Sequence, residues 1–347
     1  MMEWAGLLTY GVFFVTVAGI YAVLTLGLNV QFGFTGQINI GIAGFFAVGA
    51  YTSAILTTAA SDHHLGGFGL PFPIGVAGAM VASALVAVVI GWVTMRLRTD
   101  YLAIATIGIA EIIRLALKNE EWLTNGVRGV PAIPRPFSET LEFDTLAGLA
   151  GLLPDPLEAT VLEVLSGPLG AAVLEVLSGP LVSLVVVLVF LALAWWMVER
   201  ARVSPWGRVL RAIRENEDGV RAAGKDVVRC RLQAFVLGSA IMGMAGALYA
   251  NFVGFISPEA FLPLYGTFLV WVMLIAGGAG NNTGALVGAF VIWLLWSATQ
   301  FLTDALGAEY ATQAGALRVL LIGVLLQVIL ILRPQGLVPE NGRKGRH

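Results

Sequence analysis

Apolar residues fall along this chain in blocks too long for strands. Nine such runs, at 7–30, 36–60, 73–95, 101–118, 181–198, 231–252, 263–280, 284–303 and 316–332, come close to or reach the length at which a helix crosses about 30 Å of hydrocarbon. The pattern predicts an all-α, polytopic membrane protein of about eight to ten transmembrane helices, folded as one transmembrane domain over 1–347.

Two of the runs are interrupted by glycine and amide residues, one in each half: GFTGQINIGIAGFFAVGAY at 33–51 and GGAGNNTGALVGA at 277–289. Small residues at three- and four-residue spacing, such as Ala43 with Ala47 and Ala50 with Ala54, let helix backbones approach closely. The same stretches also read as broken or re-entrant segments, in which Gln37, Asn39, Tyr51, Asn281 and Asn282 line a substrate path. Close packing and a polar path both remain open at this stage. Within 101–118, Glu111 and Arg114 are three residues apart and so share a helix face. Charges in such a setting line a path or neutralise one another near an interface.

The longest densely charged stretch, 199–231, holds nine of the twenty Lys and Arg residues. Basic loops of this length stay in the cytoplasm, which places the N-terminus outside and the C-terminus inside. Arg96, Arg98, Arg333, Arg343, Lys344 and Arg346 then also fall inside, while the 61–72 and 304–315 loops lack Lys and Arg. Ser204 before Pro205 signals the start of a short helix through Trp206, Val209, Leu210 and Ile213. Asn216, Glu217 and Asp218 suit the start of a second, which Gly224 ends. A helix pair of this kind between two spans forms a surface for a cytoplasmic partner.

The connection at 119–180 carries nine acidic residues beside Arg128 and Arg135 and is expected on the outer side. VLEVLSGPL occurs in it twice, at 161–169 and 173–181, a duplication too solitary for a solenoid. It reads as a neutral insertion or as a docking surface for an outer partner.

Composition agrees: 58% of the 347 residues are hydrophobic and 12% are charged, against about 25% charged in a soluble domain. A nucleic-acid partner is excluded by this profile. The single cysteine, Cys230, allows no intramolecular disulfide and is read as a reduced, inert thiol. The N-terminal MMEWAGLL lacks a basic region and reads as part of a retained first span. Asp62, His63 and His64 lack the further ligand that a zinc site requires, so no metal is expected. Neither a nucleophile elbow, nor a zinc-protease motif, nor a phosphate-binding loop is present, so no catalytic residue and no resident cofactor are expected. Active transport would then require another chain to hydrolyse ATP.

Five stretches together carry a family likeness: GFTGQINIG with FFAVGAYT at 33–41 and 45–52, TDYLAIATIGIAEIIRL at 99–115, WGRVLRAIRENEDGVRAAG at 206–224, GGAGNNTGALVGA at 277–289, and RPQGLV at 333–338. In their order and spacing the chain resembles the LivM-type permease subunits of branched-chain amino acid ABC importers over nearly its full length. The resemblance implies a second, related permease as partner, two ABC ATPase subunits, an extracytoplasmic solute-binding protein, and residence in the inner membrane of a prokaryote. It also makes 206–224 the ATPase-coupling region, with Trp206, Arg211, Ile213, Glu217, Ala222, Ala223 and Gly224 as its candidate contacts. The chain departs from the family pattern at Ile42, at Asn281 and at Ala285, which bears on the substrate more than on the machinery. Permeases for urea and short-chain amides are closely similar. An ion-coupled transporter or channel is the alternative of another class, favoured by the broken helices and Glu111.

Overall fold

The computed structural model describes residues 2–60, 65–95, 97, 99–136, 180–304 and 311–340. Among these, helices form nearly all of the regular structure, and the β-type pairing is a single antiparallel bridge between Val130 and Ile256. The chain begins with α1 (Met2–Leu28), which widens into a π turn at Asn29–Gly33. After an irregular stretch come α2 (Ile42–Thr57), α3 (Phe72–Thr94), α4 (Thr99–Asn119) and the single turn α5 (Glu121–Thr124). The second half runs through α6 (Val182–Val203), α7 (Pro205–Glu215), α8 (Glu217–Ala222) and α9 (Val227–Val253). It continues with α10 (Leu269–Gly277), entered through a π turn at Leu264–Phe268, then α11 (Asn282–Asp304) and α12 (Ala311–Leu332).

Six of these helices are long and apolar enough to cross a membrane: those centred on α1, α3, α6, α9, α11 and α12. Three of the nine expected runs fall short of that standard. The run at 36–60 loses its start to an irregular stretch and yields the 16-residue α2, about 24 Å long. The run at 263–280 ends at Gly277, because Gly278 adopts φ +116°. The run at 101–118 does form the 21-residue α4, but Asp100, Glu111, Arg114 and Lys118 make it too polar.

Helix α2 is the hub. It is buried on nearly every side, with α9 and α3 packed along it and α1 packed against α9. Glycine makes that approach possible: a Cβ on Gly49 would stand 2.1 Å from the Gly243 carbonyl oxygen, so the α2 and α9 backbones touch directly. This is the close-packing function expected of the 33–51 stretch. Apolar side chains are turned outward on the rim instead, among them Leu85, Val89, Trp92 and Val93 on α3, Ile104 and Ile112 on α4, and Leu320 and Ile331 on α12. Such an inverted exterior suits lipid and not water.

The two ends of the bundle are composed of different segments. At one end the turn at Gly33, the α7 helix, the Gly277–Asn281 break and the C-terminal tail meet. At the other, Lys118 reaches Glu259 at 3.3 Å, the Leu65 N–H donates to the Trp122 carbonyl at 2.8 Å, and Val130 pairs with Ile256. Both full copies of the duplicated VLEVLSGPL motif extend into positions outside the described residues, as do Asp62, His63, His64, Arg96, Arg98 and the basic residues after position 340.

Candidate coupling site and substrate path

The charged stretch folds as its caps dictate. Ser204 caps α7, its Oγ accepting the Gly207 N–H at 3.2 Å, with Pro205 in the first helical position. Asn216 caps α8 by accepting the Gly219 N–H at 2.9 Å, and Gly224 takes the left-handed conformation with φ +76° just beyond it. Glu217 pairs with Arg221 at 2.7 Å and with Arg231 at 3.1 Å, which pins α8 to the start of α9. Trp206 donates its indole N–H to Gln233 at 2.9 Å and packs against the core. Ala222, Ala223 and Gly224 are exposed, and the Arg211 side chain lies over the Arg202 carbonyl at 3.5 Å. Ile213 departs from the expected contact surface. It is 3% exposed and faces this chain's own core, because the apolar side of α7 packs toward α6 and α9.

Beneath α7 a directed chain of hydrogen bonds joins three spans. The Gly280 N–H donates to Asn29 Oδ1 at 2.8 Å, Asn29 donates to Asn282 Oδ1 at 2.8 Å, and Asn282 donates to Glu199 at 2.7 Å. Glu199 is held in turn by a two-pronged contact from Arg202 at 2.5 and 2.9 Å. Asn281 accepts the Thr283 N–H at 3.0 Å, capping α11, and donates to the Pro339 carbonyl at 3.0 Å. Arg214 of α7 donates to the Gly33 carbonyl and reaches Glu340 at 2.8 Å. The first break, the second break, α7 and the tail are therefore one hydrogen-bonded unit. This unit is a polar joint between helices, built from amides, carboxylates and guanidinium groups that satisfy one another.

The irregular stretch at 34–41 is held just as closely. Asn39 donates to Gln31 Oε1 at 2.8 Å and accepts the Gly41 N–H at 2.7 Å, while its carbonyl receives the Trp271 indole N–H at 3.0 Å. Gln31 passes the contact on to the Phe235 carbonyl and Ser239. Gln37 donates to the Met95 sulfur at 3.3 Å, and its carbonyl oxygen finds no donor among the described residues. Tyr51 is buried beside Phe261, and its hydroxyl is likewise without a partner there. The seven path candidates are thus divided. Asn281 and Asn282 belong to the joint, and Gln37 and Asn39 to the first break.

Glu111 and Arg114 form a two-pronged ion pair at 2.5 and 2.9 Å at the opposite end of the bundle. Glu259, in a 3₁₀ turn at Pro258–Phe261, lies 4.0 Å from Arg114 and 3.3 Å from Lys118, so four charges clip α4 to that turn. A separate cavity of about 910 Å³ opens on this same side, and none of the seven path candidates lines it.

Residues 11–330 match the family described as the branched-chain amino acid transport system permease component. The chain belongs to this permease family. It is 33% identical over 333 residues to the high-affinity branched-chain amino acid transport system permease protein LivM of Escherichia coli K12, covering 93% of this chain and 69% of that one. The probable branched-chain amino acid transport permease protein LivM of Methanocaldococcus jannaschii is 28% identical over 352 residues, covering 93% and 91%. The LivH permease of Salmonella typhimurium LT2 is more distant, at 24% over 283 residues, covering 80% and 81%. No solved structure matches the chain. Family membership bears out the resemblance and makes the chain a transport subunit of the membrane, not an enzyme.

Several residues of the permease joint lay in no quoted motif of the sequence: Asn29, Gln31, Glu199, Arg202 and Glu340. Asn29 and Gln31 did leave a trace, as amides at the end of the long apolar first run, where an unpaired polar group is costly.

Proposed function

We propose that the chain is the translocating subunit of an ATP-binding cassette importer, moving branched-chain or other hydrophobic amino acids across the inner membrane of a prokaryote. In this reading the N-terminus is outside and the C-terminus cytoplasmic. A second, related permease completes the pathway, two ATPases engage the 199–231 loop, and an extracytoplasmic binding protein delivers the solute on the side of 119–180.

One observation carries the coupling role. Arg214 ties the exposed α7–α8 pair to Gly33 and Glu340, next to the asparagine chain that spans both breaks, so a displacement of α7 is transmitted to both at once. Substrate class rests on the family and on the LivM relatives. Reconstitution tests the whole. Proteoliposomes holding both permeases and both ATPases should accumulate leucine only with ATP and a loaded binding protein. Uptake driven by an ion gradient without the ATPases would overturn it.

A further inference from the structure

The cavity of about 910 Å³ lies between α1, α6, α9 and α11, in the half of the bundle remote from the coupling helices. It extends along α1 from Thr9 to Tyr21, about 18 Å at the helical rise, so it runs from near the bundle end well into the bundle. Its volume is in the range of small-molecule sites. The wall is aromatic: Tyr21 stacks on Trp293 with ring centres 5.0 Å apart, and Tyr265 meets Trp296 edge-on at 5.8 Å. Two features make it more than an apolar gap. The indole N–H of Trp293, a lining residue, is buried and finds no acceptor among the described residues. Opposite charges also border the cavity, for Arg135 and Glu259 both line it. Glu259 is already shared with Lys118 and Arg114, whereas Arg135 forms no ion pair among the described residues.

From this we infer that the cavity is a binding site, built within this single subunit, for a free amino acid with a branched apolar side chain. Arg135 takes the carboxylate, Glu259 the ammonium, and the rings around Tyr21 and Trp293 the side chain. A guanidinium matches a planar carboxylate, and an aromatic wall suits branched methyl groups but offers little to a polar chain. The inference rests on the import reading and deepens it: solute released at the outer side would pause inside the permease before reaching the joint.

Equilibrium binding of tritiated L-leucine to the complete importer in nanodiscs, without ATP or binding protein, tests this. Saturable binding is expected, with valine competing about fourfold more weakly than leucine for one methylene fewer. Isoamylamine and 4-methylpentanoate, each lacking one charge, should compete about tenfold or more worse. Arg135→Gln, at an exposed position, should lower leucine affinity about tenfold, and Arg135→Lys should lower it less. Trp293→Ala should abolish binding, with Trp293→Phe as the variant that keeps the ring stack if the alanine form fails to assemble. Leu320→Ala, on the outer face of α12, should leave binding unchanged.

Absence of saturable binding to the wild-type complex would overturn the inference, as would wild-type affinity in Arg135→Gln. Equal competition by 4-methylpentanoate and leucine would do so as well, and would mark a site for acyl chains. Uptake assays on the same complexes separate the two readings. Intact leucine import with no leucine in the cavity sinks only this inference, whereas a complex that never imports leucine sinks the import reading.

Discussion

Arg214 and Glu340, 126 residues apart, form a close ion pair, with the guanidinium Nη2 2.8 and 3.1 Å from the two carboxylate oxygens. Their side chains are 17% and 11% exposed, and the same guanidinium donates to the Gly33 carbonyl. Glu340→Gln and Arg214→Gln should each destabilise the purified permease pair by about 1–2 kcal/mol, since the partner is left unneutralised in a mostly buried setting. The double variant should lose less than the sum of the two. Thermal unfolding of the four forms measures this coupling, and simple additivity would mean that the two side chains act apart.

Ala223 and Gly224 lie exposed at the end of α8, where the ATPase contact is proposed. Ala223→Glu should leave insertion and pairing with the sister permease intact while removing the ATPases from pull-downs and abolishing uptake. A buried, unpaired carboxylate at such a contact weakens it by several kcal/mol, or orders of magnitude in affinity. Gly224→Leu should add a cost of about 1 kcal/mol even without a partner, because its φ of +76° disfavours any side chain. Full ATPase binding and uptake by Ala223→Glu would reduce this loop to a connector.

The pair at 2.5 and 2.9 Å between Glu111 and Arg114 should show itself as non-additivity. Each single change to Gln removes one charge and strands the other, whereas the double change removes both. Transport should therefore suffer less in the double variant than the single variants predict together. Lys118 and Glu259 still hold α4 to its neighbouring turn in all three.

Orientation is open to direct test with reporter fusions. One placed after Arg229 should report the cytoplasm, and one near Glu142, in the acidic 119–180 connection, the outside. Reports from the same side would mean that the number of crossings between them is even.

Local chemistry was legible in the sequence, and long-range pairing was not. Ser204 and Asn216 start their helices, and Gly224 closes the second, through bonds to residues at most a few positions away, so their types alone announced α7 and α8. The Glu111–Arg114 pair followed from three-residue spacing on one helix. The contact between Asn29 and Asn282 spans 253 residues, and nothing local to either asparagine names the other. Helix boundaries were hard to read for a related reason. Hydropathy records that 36–60 and 263–280 are apolar, but not that the break at 34–41 is held open by Asn39 and Trp271 or that the second helix stops at Gly277. Ile213 shows the same limit: its apolar character was evident, while the side it turns to depends on α6 and α9.

The tail that carries Glu340 also sets an order on biosynthesis. Leu337 and Val338 donate their N–H groups to the Ala276 and Gly277 carbonyls, the last turn of α10, at 2.8 and 2.9 Å. Helix ends leave carbonyls unmatched, and here donors that leave the ribosome some sixty residues later satisfy them. A nascent chain that has already made α11 still has an open end at α10, an Arg214 on α7 with no Glu340 to hold, and a bare Gly278 where Gly336 belongs. The surface around Arg214 is thus completed only once residues 337–340 have been made, after both α10 and α11, so its assembly follows that of the helices it joins.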